Sequence, residues 1–566
     1  MAHHLCIFVA VAPSWCDVTS RIINTGRTRR TLMRMRRTLC VGLLSLLSVI
    51  PGWAQCPNSI VNFLQGKTTG TLTCFHTTDL RTTVPPSTPV TPPDNFLTAN
   101  GNGTPFPGLL AGFGSLTPVT DLGVISNGPS LVPTSTNGEV PGVEVYGWYA
   151  DDPAGEARFL LRFPDHWNGK LVVAGASGTR SEFNGDWAWS DYVLQKGYAY
   201  ASQNKGVLNL YIDSLTDPIY ANEPNADPLA CRDNPSSSLW LHFYDNDPYK
   251  PFTQWTRYII ETGWLAQGAA EAFYGNWPAH TYAVGTSNGG YQVRRAVEEA
   301  PEVFDGGVDW EGTFVDPRGN ILISLPPAIK NFPAYVASNY DPDSAAAHEI
   351  MEAGYPPDIV TRDTSGNEVA SLWANYWTHF WEVTMCQWQK RFDPSYDTYG
   401  NLTANPAGNL PDYNYWERLF TTDVGQNLIP VTTTGRIQRP LITVAGTMDA
   451  LLPIEDQARA YQQRVDSWLN FGDDRHRHVA YRLYEVQNGN HIESYVCTTT
   501  PCPVGADGNS FTQLQTIQPH AQKAFDLLVD YVEKGSKLPP SQCIPKGGAI
   551  SSAPSQAGHC KNLFVP

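Results

Sequence analysis

The stretch TYAVGTSNGGYQVRRAV, residues 281–297, decides how this chain is read. Apolar TYAV runs into a single serine, Ser287, with a glycine two positions away on each side, and a helix-like pattern leaves it. Gly285-Thr286-Ser287-Asn288-Gly289 fits G-x-S-x-G, whose physical demand is steric. A serine on a sharp strand-to-helix turn has strained backbone angles, and strand and helix approach closely only if the neighbouring residues are small. A glycine-rich chain of this length shows the pattern about 0.3 times by chance, so its context carries the weight. A strand before the turn and a helix after it make Ser287 a candidate nucleophile.

A serine hydroxyl attacks poorly without a base, and the base needs a carboxylate to orient it. On such a turn the acid and then the histidine follow in chain order, each just past a strand. Asp449 follows LITVAG in GTMDALLP, and His491 follows YRLYEV in QNGNHIE. Asp309, in GGVDWEG, also ends a strand, but that strand comes directly after the serine's helix, and Asp449 is preferred. His476 and His478 lie in the charged run DDRHRH and His520 in a helical pattern, so His491 is the expected base. The tetrahedral intermediate needs two backbone N–H donors. Asn288 supplies one, and Ala176 or Ser177 in LVVAGASGTR the other, with Ala176 taken as the donor.

Outward from this stretch, GVEVYGWYA and ARFLLRFP flank DDPAGE and read as a hairpin. NGKLVVAGASG and GYAYASQNKG read as buried strands, and a long helical pattern precedes HTYAVG. Strands alternating with helices imply an α/β fold with a mainly parallel sheet covered on both faces. The rhythm stops over 313–434, rich in Trp, Tyr, Pro and Asn, which reads as an inserted lid subdomain, and resumes at RPLITVAG. Within the insertion Trp373, Tyr376, Trp377, Trp381 and Trp388 are candidates either to line an acyl pocket or to form the lid's own core, with Trp377 and Trp381 taken as substrate-binding. The catalytic domain is expected over 109–312 and 435–535, after an extended Thr/Pro-rich arm at 55–108 and before a disulfide-closed tail at 536–566.

Residues 1–54 combine TRRTLMRMRR, apolar TLCVGLLSLLSVI and small residues before Cys56, which reads as a signal peptide with its start at Met33 or Met35. A secreted or periplasmic location is therefore expected. The full chain carries a net charge of −16, and losing 1–54, with seven Arg and one Asp, makes the remainder more acidic. Such a surface repels nucleic acid and anionic membranes. Eight of the 11 cysteines lie after the leader, an even number that suits disulfides. The expected pairs are Cys56–Cys74, Cys497–Cys502 and Cys543–Cys560, leaving Cys231 with Cys386. No zinc spacing occurs, Asp393 and Asp397 do not form a calcium loop, and no metal or cofactor is expected.

Over roughly 140–535, apart from the insertion, these residues resemble the α/β-hydrolase superfamily. Ser287-Asn288-Gly289-Gly290, the leader, the disulfides and the large insertion resemble the tannase and feruloyl esterase family, and FDPSYD and DYNYW are similar to its lid. The resemblance implies a secreted serine carboxylic-ester hydrolase acting on phenolic or similar esters. The linked cysteines that tannases carry are replaced by Thr286 and Ile492. The S-N-G-G turn is also similar to that of secreted 3-hydroxybutyrate oligomer hydrolases, whose esters are aliphatic. A serine peptidase or amidase on the same scaffold, and a non-catalytic binding protein, are the alternatives to an esterase.

Overall fold

The computed structural model describes residues 56–81, 139–152, 157–178, 182, 185–207, 210–212, 231–232, 239–241, 253–396, 413–471, 478–497 and 511–566. The expected leader, residues 82–108 of the expected arm and Cys502 lie outside the described residues.

One large sheet organises these residues. Its strands are β1 (Thr68–Thr77), β2 (Gly142–Tyr149), β3 (Arg158–Pro164), β4 (Lys170–Gly175), β5 (Ala199–Gln203), β6 (His280–Thr286), β7 (Gly306–Trp310), β8 (Leu441–Gly446), β9 (Tyr481–Val486) and β10 (Gln542–Ile544). Their spatial order is β1-β2-β3-β5-β4-β6-β7-β8-β9-β10. The β1–β2, β2–β3 and β3–β5 pairs are antiparallel, and every pair from β5 to β10 is parallel. A parallel sheet covered on both faces needs strands that are apolar on both sides. In β4, Leu171 and Val173 join the core under α1 (Thr253–Tyr274) and α2 (Asn288–Glu299). Val172 and Ala174 join the opposite core, under the C-terminal helix Gln518–Lys534. The period of two along a strand thus feeds two hydrophobic layers at once.

This is the α/β-hydrolase arrangement: an antiparallel hairpin, a crossed pair β5-β4, and then strands added in chain order. The direction of addition reverses between β4 and β6, and the crevice beyond the carboxyl ends of strands at such a reversal is where open α/β sheets bind ligands. Residues 176–178 and Ser287 follow those two strands.

Two segments differ from their sequence reading. Residues 56–81 do not form a free arm: Asn58–Leu64 is a helix, and Thr68–Thr77 adds an edge strand tied by the Cys56–Cys74 disulfide. Gln542–Ile544, expected within the tail, closes the other edge and is pinned by Cys543–Cys560. Cys386 and Cys497 are disulfide-bonded as well. The pairings expected for them, with Cys231 and Cys502, fall outside what is described.

Between β7 and β8 the chain runs through α3 (Ile321–Ala337), α4 (Ala345–Glu352), residues 372–381 and α5 (Glu382–Phe392). Phe332, Trp373, Trp381 and Trp388 form one core with Met448, Leu451, Leu452, Tyr495 and Val496. The last five belong to the segments that carry Asp449 and His491, so burial of the insertion's aromatics also fixes those loops. Each such side chain contributes on the order of 1.5–3 kcal/mol by leaving water.

Candidate active site

Ser287 sits between β6 and α2 with φ 58° and ψ −121°. A side chain held there is strained, and its surroundings must hold the turn. The Ser287 N–H donates to Trp310 O at 2.9 Å, and Ser287 O accepts from the N–H groups of Tyr291 and Thr313 at 3.0 and 3.3 Å. The glycines are explained by close backbone approach. A Cβ on Gly285 would meet the Gly289 carbonyl at 2.4 Å, one on Gly289 would meet Gly175 O at 2.5 Å, and one on Gly290 would meet Asp309 Oδ1 at 2.4 Å. The third clash accounts for the second glycine of S-N-G-G, which the motif alone does not.

Asp449 and His491 come together at the ends of β8 and β9. His491 Nδ1 lies 2.8 Å from Asp449 Oδ2, and both residues are buried. Asp449 Oδ1 accepts from the N–H groups of Leu451 and Leu452 at 2.8 and 2.6 Å, which fixes the carboxyl group in place. The two loops are stitched by Met448 N–H to Gly489 O at 2.8 Å. An Nδ1–H directed at Asp449 leaves Nε2 as the basic nitrogen of the neutral imidazole. Asp309 is occupied elsewhere: Oδ2 accepts from Arg294 Nε at 2.6 Å and Thr443 Oγ1 at 2.8 Å, and Oδ1 from Gly312 N–H at 2.6 Å.

Asn288 is the first residue of α2, where no carbonyl one turn back accepts its N–H. Its side chain accepts from Thr313 Oγ1 at 3.0 Å. Ala176 is corrected as an oxyanion donor, because its N–H donates to Gln292 Oε1 at 2.9 Å. Ser177, next along, bonds through Oγ to Thr286 O at 2.9 Å, so its backbone lies beside the nucleophile turn. Buried Lys205 donates from Nζ to the carbonyls of Ser177 and Gly178 and holds this loop.

Trp381 is corrected as a substrate-pocket residue. It is fully buried, packs on Tyr355 and Phe332, and donates its indole N–H to Ala450 O at 2.7 Å. Its place is therefore behind the Asp449 loop. Trp377 is partly buried and stacks on Phe332 with ring centroids 4.9 Å apart. An open groove of about 1390 Å³ lies among α3, α4, Tyr413–Glu417 and Glu455–Asp456, but neither tryptophan nor Ser287, Asp449 or His491 lines it. Asp393 is engaged by Arg418 and by the Tyr413 hydroxyl at 3.0 Å.

Sequence reasoning missed the part played by three residues, of which Tyr376 was read only as a pocket or lid-core residue. The Tyr376 hydroxyl donates to Asn490 Oδ1 at 2.9 Å and accepts from Ile492 N–H at 3.3 Å, bracketing His491 from the insertion. Lys205 is the second. The third is Glu311, whose Oε2 lies 3.5 Å from His491 Nδ1. Its only sequence signal was VDWEG, where an acid ends β7 just as Asp449 ends β8. Among the described residues, Glu311, Asp449 and His491 are the one His/Asp/Glu trio whose ligand atoms lie within 4.8 Å of one another. An Nδ1 that carries a proton to Asp449 cannot ligate a metal, so the two uses of this trio exclude each other.

Residues 416–561 match the model of the 3HB-oligomer hydrolase family. The D-(-)-3-hydroxybutyrate oligomer hydrolase of Burkholderia thailandensis is 29% identical over 159 residues, 27% of this chain and 21% of that protein. The enzyme of the same name from Burkholderia mallei gives the same figures. The alignment thus spans about a fifth of the length of these curated relatives. Among solved structures, an esterase from Aspergillus oryzae superposes with TM-score 0.42 at 15% identity, covering 72% of this chain and 83% of that one. Feruloyl esterase B from Aspergillus oryzae gives 0.40 and 13%, over 72% and 86% of the two chains. Tannin acyl hydrolase from Aspergillus niger gives 0.37 and 13%, over 72% and 81%.

Proposed function

We propose that this chain hydrolyses carboxylic esters through an acyl-enzyme on Ser287. The observation that carries the reading is a serine in a strained turn directly after β6, with a buried histidine already hydrogen-bonded to Asp449 in the loops that follow β9 and β8 at the same, carboxyl edge of the sheet. His491 Nε2 takes the Ser287 proton as the hydroxyl attacks the acyl carbon, and Asp449 fixes the tautomer and stabilises the imidazolium. The oxyanion rests on the Asn288 N–H and on the Ser177 N–H, which replaces Ala176. The alcohol leaves with the proton from His491. A water, deprotonated by the same nitrogen, then releases the acid.

The segment matched by the family model, 416–561, holds Asp449 and His491, and the similar curated proteins are named as hydroxybutyrate oligomer hydrolases. Short hydroxyalkanoate oligomers are accordingly the substrate class put first, ahead of phenolic esters. An exported location follows from the disulfides and the basic-apolar leader sequence. The test compares wild type and Ser287→Ala on p-nitrophenyl butyrate and on 3-hydroxybutyrate dimers and trimers, with fluorophosphonate labelling of both. Loss of about 10⁴-fold or more in kcat, together with loss of the label, is expected. A Ser287→Ala protein that hydrolyses as fast as wild type ends the proposal.

A further inference from the structure

Glu311 stands directly after β7 with φ 52° and is 3% exposed. Its N–H donates to Val444 O at 2.8 Å, and its Oε1 accepts from Gly446 N–H at 2.9 Å. Oε2 is buried and has no well-aligned hydrogen-bond donor, although the neighbouring Trp310 indole N–H acts on the carboxyl as a weak one, and it lies 3.5 Å from the imidazole nitrogen that Asp449 meets at 2.8 Å. Two carboxyl groups, from the ends of adjacent strands, therefore converge on one atom of His491. Carboxyl groups this close in a buried site do not both ionise. Asp449 receives two backbone N–H groups on Oδ1 and Glu311 one on Oε1, so Glu311 is the carboxyl group that holds the proton. Burial pushes the Glu311 carboxyl well above the ordinary carboxylate range, and the Asp449 charge adds to this. Glu493 acts in the same direction, and the buried Tyr376 hydroxyl is itself raised, by burial and then by both acids.

We propose that Glu311 is a positioning residue for His491: a second carboxyl group that stays neutral while Asp449 is charged and takes over the charge when Asp449 cannot carry it. This rests on the reading of Ser287 and His491 as nucleophile and base. In Asp449→Asn, the Glu311 O–H bond breaks, its proton goes to solvent, and the new carboxylate accepts the Nδ1–H. No other bond changes.

The experiment uses the full chain and p-nitrophenyl butyrate, with kcat and kcat/KM measured from pH 5 to 10. Asp449→Asn is expected to lose about 30-fold near neutrality and to recover as pH rises, whereas Asp449→Asn with Glu311→Gln loses about 10⁴-fold without recovery. Glu311→Gln alone should lose about fivefold in kcat with little change in KM, and should lack the alkaline bend that deprotonation of Glu311 gives wild type. Asp449→Ser repeats the test if the Asn variant does not fold, and the same recovery with pH is expected. Three results would overturn the proposal. They are Asp449→Asn already as slow as the double variant at every pH, Glu311→Gln costing the same factor in both backgrounds with an unaltered profile, and activity lost in EDTA and restored by a divalent cation. Fluorophosphonate labelling separates the premise: an unlabelled wild type, or a Ser287→Ala protein as active as wild type, means that the nucleophile reading has failed rather than the role of Glu311.

Discussion

At the scale of single residues, the strain at Ser287 is held at Gly285 and Gly289 by backbone packed against backbone. Gly289→Ala would place a Cβ 2.5 Å from Gly175 O and 2.8 Å from its carbonyl carbon. Strand β4 or helix α2 would have to shift, and a loss of at least about 2 kcal/mol in stability is expected from overpacking of this kind. Gly178→Ala is the control: its nearest neighbour would be Asn288 Nδ2 at 3.7 Å, an ordinary contact, and its cost should stay within about 0.5 kcal/mol. Urea midpoints of the two variants check this, and equal midpoints would refute it. Ser287, Asp449 and His491 stand out as candidates because each follows an apolar strand and chain order ranks them, and the structure brings Asp449 and His491 together. Ala176 was misread because nothing in LVVAGASG reveals that Gln292, more than a hundred residues away, takes its N–H. Glu311 was invisible for a related reason. Its φ of 52° aims the side chain at His491, and no sequence pattern specifies a positive φ at a glutamate.

At the scale of elements, the parallel strands were readable from short apolar runs bounded by Gly and Pro, and α1 and α2 from their length and period. The two edge strands were not. TTGTLTCFHT is polar and Thr-rich because only one of its edges is paired, and QCI is three residues long, below what periodicity detects. Asp309 marks the limit of reading a site from strand ends alone. It lies within β7, in register with Thr443 rather than in the loop beyond the strand where Asp449 stands, and Arg294 on α2 turns it into a brace between helix and sheet. Both members of that ion pair are fully buried, with Tyr461 stacked on the guanidinium at 4.2 Å. Asp309→Ala would leave the Arg294 charge buried without a partner, a loss expected at about 3–5 kcal/mol, and Arg294→Met added to it should restore part of that. Equilibrium denaturation of the single and double variants tests the brace. An Asp309→Ala protein of wild-type stability would show that the pair contributes nothing.

At the scale of the whole molecule, the loops that carry Asp449 and His491 are held by parts of the chain far apart in sequence, and composition gives no hint of it. The insertion reaches them through Tyr376 and Trp381, and the C-terminal helix through Glu493. Glu493, two residues after His491, accepts the N–H of Gln518 at 2.8 Å and that of Ile517, tying the histidine loop to the start of helix Gln518–Lys534. Two N–H donors at a helix N-terminus favour a carboxylate. Burial outweighs them and raises the Glu493 carboxyl to about 8. In the unfolded chain the same group titrates near the ordinary glutamate value, so the folded state binds its proton more tightly. The stability this confers is complete below about pH 4.5, declines as the unfolded chain gives up the proton, and is gone once pH passes about 8. Wild type should therefore lose up to about 1.4 kcal/mol per pH unit from this group between those limits. Glu493→Gln keeps an acceptor for the two N–H groups but cannot titrate, so its urea midpoint should fall less steeply from pH 5 to 8. Glu311 titrates with the same sign and is present in both proteins, but Glu493 adds to its upward shift, so the difference in slope reports Glu493 together with that coupling, which has the same sign. Parallel slopes would mean that Glu493 is ionised in the fold, with its charge carried by the helix it caps.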